Sequence, residues 1–119
     1  MQIQVNASNG IENKDALERW ADTEIKGMLA RFLEEVTRVE VHMSGETPGK
    51  SGGGDKRCTM EARLAHHQPV AATHDAPSQD EAFRGALAKL KRLVEHTLAR
   101  IEGRRDRDSI RKDVDIAPE

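Results

Sequence analysis

Lys89, Arg92, His96 and Arg100 recur at steps of three and four residues, so a helix would gather them on one side. Arg84 and Lys91 lie close by in the same run. A row of guanidinium and ammonium groups on a helix is suited to phosphate oxygens, and so to a nucleic-acid backbone. The bland alternative is a solvated helix face, which many charged helices have. Arg57 and Arg63 form a second basic pair on one face of an alternating segment, where cross-strand pairing with Glu40 and its neighbours competes with ligand binding. The helical row is the stronger patch, because only Glu95 and Glu102 oppose it locally.

Other reactive residue types lead nowhere comparable. Gly45-Glu46-Thr47-Pro48-Gly49-Lys50-Ser51 looks like a phosphate loop, but it has three residues between its glycines where that loop needs four. A helix should follow, and Gly52-Gly53-Gly54 and a strand-like segment follow instead, so the stretch reads as a flexible hairpin loop. The five histidines, His42, His66, His67, His74 and His96, show no metal-ligand spacing and read as surface residues. Cys58 is the single cysteine, alternates with apolar neighbours and reads as a small core residue rather than a nucleophile. The carboxylates form no isolated pair for acid–base work. These readings predict a non-enzyme with no cofactor, no metal and no small-molecule substrate.

Composition narrows the class further. The chain has 119 residues, 36% hydrophobic and 34% charged, which predicts one domain with a thin core. Three aromatic residues, Trp20, Phe32 and Phe83, argue against a base-stacking platform. The net charge is -2, so any basic field must be local. Residues 1–47 hold 5 Lys/Arg against 9 Asp/Glu, whereas residues 76–105 hold 7 against 4. The lone cysteine suggests a reducing compartment, no apolar run approaches the length of a membrane span, and the first residues do not read as a signal peptide. A cytoplasmic protein without a membrane partner is the expectation.

The elements that must position the basic row follow from periodicity. Gln2 to Asn6 alternates around Ile3 and Val5 as a short strand. A helix is predicted from Asn13, a suitable N-cap, to Glu35, with Leu17, Trp20, Ala21, Ile25, Met28, Leu29 and Phe32 on its apolar face. Gly27 inside it suggests a close approach to the sheet. The period then changes to two over Thr37–Ser44, Lys56–Ala65 and Val70–His74. The closing helix carries Phe83, Leu87, Leu90, Val94, Leu98 and Ile101 as its buried stripe, Ser78 and Glu81 as a capping box, and Gly103 as its stop. The fold class is α+β in the order β-α-β-β-β-α: a four-stranded mixed sheet, first and second strands parallel, both helices on one face. The domain spans 1–102, and 103–119 reads as a charged, flexible tail.

The opening strand Met1–Val5, the pair Ala16-Leu17, the run Thr37–Val41, the segment Asp55–Leu64 and above all the closing helix Asp80–Leu93 carry a resemblance. Over residues 1–102 the chain resembles the ribosome hibernation promoting factor and ribosome-associated inhibitor family, also known as sigma-factor modulation or ribosomal subunit interface proteins. The resemblance implies a bacterial stress-response factor that binds the small ribosomal subunit and its rRNA, in the channel used by mRNA and tRNA. It implies that Lys89, Lys91 and Arg92 chiefly contact rRNA phosphates, with Arg84, His96, Arg100, Arg57 and Arg63 as further rRNA-binding candidates. Off the ribosome a monomer is expected. The competing reading is a protein-interaction regulator working through the polar outer face of the sheet.

Overall fold

In a computed structural model, residues 1–8, 10–45 and 56–116 are described, with side chains described as far as Gly103. The elements are β1 (Gln2–Ala7), α1 (Lys14–Met28), a 3-10 turn (Ala30–Phe32), β2 (Val36–Gly45), β3 (Lys56–Leu64), β4 (Val70–Ala76) and α2 (Gln79–Ile116). The sheet order is β1-β2-β3-β4. β1 runs parallel to β2, and the other two pairings are antiparallel. This is the α+β arrangement that the periodicity predicts.

Period-two patterning builds the core from the strands. Val39, Val41 and Met43 of β2 and Cys58, Met60 and Ala62 of β3 are essentially sealed from solvent. Their neighbours along each strand face outward, as the pleat requires. α2 lies over β3 and β4 and α1 over β1, so one face is covered and the other is wet. Phe83, Leu87, Leu90 and Val94 bury the stripe of α2, and Trp20 of α1 meets Phe83 with ring centroids 4.5 Å apart.

Four local expectations for α1 and β4 are corrected. α1 stops at Met28 rather than Glu35, because the chain tightens into the 3-10 turn, with Phe32 N–H donating to Leu29 O at 2.8 Å. Three residues per turn set Leu29 and Phe32 on the same side, where both are buried. Asn13 does precede α1, but its backbone is left-handed (φ 54°, ψ 54°) and its side chain caps nothing. A capping side chain needs an extended backbone to reach the first-turn N–H groups. Gly27 is exposed, and a Cβ there would meet nothing within 4 Å. The close approach is instead at Gly85, where a Cβ would overlap the imidazole of His74. His74 is therefore half-buried on the inner face of β4, not a surface residue.

The capping box at α2 forms: Glu81 N–H donates to Ser78 Oγ at 3.2 Å, and the Ser78 hydroxyl donates to the Glu81 carboxylate at 3.3 Å. Gln79 joins the two helix starts, accepting from Glu12 N–H at 2.7 Å and donating to Glu12 O at 3.2 Å. At the far end α2 passes Gly103 without a break and continues to Ile116. One helical glycine costs only about 1 kcal/mol relative to Ala, and no proline follows before Pro118. The phosphate-loop look-alike and its glycine run, from Glu46 to Asp55, lie outside the described residues, as do residues 117–119. Among the described residues, no helix is long and apolar enough to cross a membrane.

Candidate nucleic-acid interface

Helical steps of three and four place Lys89, Arg92, His96 and Arg100 along one flank of α2, beside the edge strand β4. There they line a shallow groove with Ala72 and Leu93. Leu93 is 40% exposed, an apolar side chain set among cations. Lys89 is steadied by donating from Nζ to Thr73 O of β4 at 3.0 Å. Among the described residues, no carboxylate lies within salt-bridge distance of Lys89, Arg92, His96 or Arg100. Glu95, a local opponent by sequence, turns instead toward Arg31, with Nη1 and Oε2 3.8 Å apart. The flank is therefore a row of exposed basic side chains with no carboxylate in ion-pair contact, although Asp75 of β4 is near enough to feel the charge of Lys89.

The other candidate residues are placed elsewhere. Lys91 is two residues from Lys89, about 200° around the helix at 100° per residue, and is half-buried. Arg84 stands on that second flank, held by Asp80 at 3.0 Å and Glu24 of α1 at 3.5 Å, with its guanidinium carbon 5.2 Å from the Trp20 ring centre. It acts as a clasp between the helices. Arg57 and Arg63 lie on the outer face of the sheet. Arg57 makes a two-pronged contact with Asp75, Nε to Oδ1 at 2.7 Å and Nη2 to Oδ2 at 3.2 Å. Arg63 lies 3.8 Å from carboxylate oxygens of both Glu40 and Glu61. Pairing with Glu40 is thus realised for Arg63, whereas the partner of Arg57 comes from β4.

Electrostatics follow from these contacts. The Arg57 hydrogen bond holds the Asp75 carboxyl below its ordinary 3.8; partial desolvation opposes this, and the charges of Arg57, His74 and Lys89 assist. Burial pushes the Cys58 thiol up to about 12, so it stays protonated as a core side chain. Among the described residues no group of three or more His, Cys, Asp or Glu could hold a metal ion. Two contributors escaped the sequence reading: Leu93, whose place between Arg92 and Val94 on the wheel was the available signal, and Ala72, which only strand packing brings to the groove.

Comparisons with known proteins agree with this fold. The fold is similar to the crystal structure of the Thermus thermophilus Protein Y N-terminal domain, at 16% identity over 82% of this chain and 99% of that one, with a TM-score of 0.65. It is also similar to a ribosomal subunit interface protein from Coxiella burnetii, at 15% identity over 83% of this chain and 99% of that one, with a TM-score of 0.62. No curated protein matches by sequence. Residues 3–102 match the family described as Sigma 54 modulation protein / S30EA ribosomal protein. That stretch takes in β1 from Ile3 onward, the other three strands and the whole basic flank of α2, and on it this chain belongs to the Sigma 54 modulation protein / S30EA ribosomal protein family.

Proposed function

We propose that the protein is a non-catalytic, cytoplasmic ribosome-binding factor that seats on the small subunit, against rRNA of the mRNA and tRNA channel, and silences translation under stress. One observation carries this reading: the exposed row of Lys89, Arg92, His96 and Arg100 on α2, with no carboxylate in ion-pair contact. Family membership supplies the ribosomal context. Contact is through backbone and shape. Phe32 and Phe83 are buried, and Trp20 is held between Phe83 and Arg84, so the aromatic residues are engaged inside the fold. The rival reading, a protein partner on the outer sheet face, has less support, because the charges there are largely satisfied by one another.

Sedimentation of the protein with purified ribosomal subunits over a salt series tests this. The expected result is recovery with the small subunit at low salt, with a steep loss as salt rises, about 0.9 log units of affinity per log unit of salt for each phosphate engaged. Absence from the small-subunit fraction at low salt would sink the proposal.

A further inference from the structure

The two edges of the sheet differ in how they are guarded. β4 is bounded by Pro69 and Pro77, and Lys89 reaches across to the Thr73 carbonyl. β1, Gln-Ile-Gln-Val-Asn-Ala, has no charge, no proline and no glycine. Its backbone direction is fixed by Ser8 N–H, which donates to Met43 O of β2 at 2.9 Å. Residues of one parity therefore face β2, and Ile3, Val5 and Ala7 turn their N–H and C=O groups to the open edge. The apolar side chains of this strand are also incompletely covered. Met1, Ile3 and Val5 are half-buried, whereas their β2 neighbours Val39 and Val41 are sealed.

Beside that edge runs a groove with Met1, Ile3 and Val5 on its strand side and the charged α1 residues Glu18, Arg19, Asp22 and Lys26 on the other. The charges of α1 along this groove run Glu18, Arg19, Asp22, Lys26, acid at one end and base at the other, and a two-fold axis brings opposite ends of such a row together. We propose that this edge is a self-association surface, on which β1 of a second copy adds antiparallel to β1 and makes one continuous eight-stranded sheet. With the axis near Ile3, Ile3 pairs with Ile3, and Met1 pairs with Val5 of the second copy. The apolar strips then cover each other. The antiparallel α1 helices set Glu18 opposite Lys26 of the second copy. Asp22, near the axis, is already neutralised by Lys26 of its own helix at 3.1 Å. The same pattern that makes an edge strand a template for a foreign chain makes this one complementary to itself.

The test is sedimentation equilibrium of the protein without ribosomes, from about 10 μM to about 1 mM, a range suited to a small interface. The expected result is a weight-average mass rising toward that of a dimer, with slowed amide exchange at Ile3 and Val5 as concentration rises. Ile3→Pro removes the central N–H from the open edge and should abolish the rise. Its fold is checked by circular dichroism. Should it fail to fold, the charge pair decides: E18K and K26E should each weaken association several-fold, and the E18K/K26E double variant should restore it. A mass fixed at the monomer value, amides that stay open, or association indifferent to the single reversals would overturn the proposal. None of these readouts involves ribosomes, so the result stands apart from the test of ribosome binding.

Discussion

The outer face of the sheet and the flank of α2 carry similar side chains to opposite effect. On the sheet, register sets Arg38 opposite Arg63 and Glu40 opposite Glu61, two like-charge pairs that would repel if isolated. They are interleaved instead. Arg38 and Arg63 both lie 3.8 Å from Glu40, Arg63 lies 3.8 Å from Glu61, and Arg38 also donates to Gln4. The quartet neutralises itself. On α2 the neighbouring strand offers Ala72 to the groove, and its carboxylate, Asp75, is taken up by Arg57 on the outer face, so the basic side chains of α2 keep most of their field. A count of basic residues does not separate the two regions. The identity of the adjacent strand does.

The largest expected effect is on ribosome binding. Replacing Lys89, Arg92 and Arg100 with Gln should lower small-subunit affinity at least tenfold. It should also reduce the salt slope by about 2.7 if each cation meets one phosphate. Near-parental co-sedimentation of the folded triple variant would erase the distinction between the regions. Next comes the support under the flank. Leu90 is fully buried, and Leu90→Ala should cost roughly 2–5 kcal/mol, seen as a lower thermal midpoint. A variant that is destabilised yet still binds when folded would separate scaffold from contact surface.

Smaller effects belong to the sheet. Exposed ion pairs are worth about 0–1 kcal/mol each, so Arg57→Gln and Arg63→Gln should shift stability little and leave ribosome affinity near the parent's. A loss of binding as large as that of the α2 variant would show that the paired arginines are recruited by the ribosome. The smallest effect is on titration. Asp75 should lose its charge below pH 3.8, and its midpoint should move back up in Arg57→Gln. Because the folded midpoint is the lower one, the pair's contribution is present above the unfolded midpoint and fades as pH falls through the folded one. Carboxyl NMR would follow both.

Much of this was legible in the sequence, and the failures share a cause. Alternation and helical periodicity are properties of one segment at a time, so β2, β3, the stripe of α2 and the burial of Cys58 could be read directly. The Ser78 cap is equally local. What depends on a neighbouring element was not legible: Arg84 against Glu24 and Trp20, Arg57 against Asp75, His74 beneath Gly85. Helical spacing already set Lys89, Arg92, His96 and Arg100 apart from Arg84 and Lys91; what it could not show is that packing turns Arg84 into a clasp against Glu24 and Trp20. Gly103 misled for the converse reason. A glycine permits a helix to end without compelling it to.

The parallel pairing of β1 has a kinetic consequence. Gln2 meets Arg38 and Ala7 meets Met43, a constant separation of 36 residues with α1 between, whereas Ala62 meets Val70 only eight residues on. Closing the longer loop costs more chain entropy before any contact rewards it. The β2-β3-β4 meander with α2 is thus the part able to assemble early, with β1 and α1 docking onto a preformed surface. Native-state hydrogen exchange should show the same order in reverse, with β1 amides opening at lower free energy than those of β3.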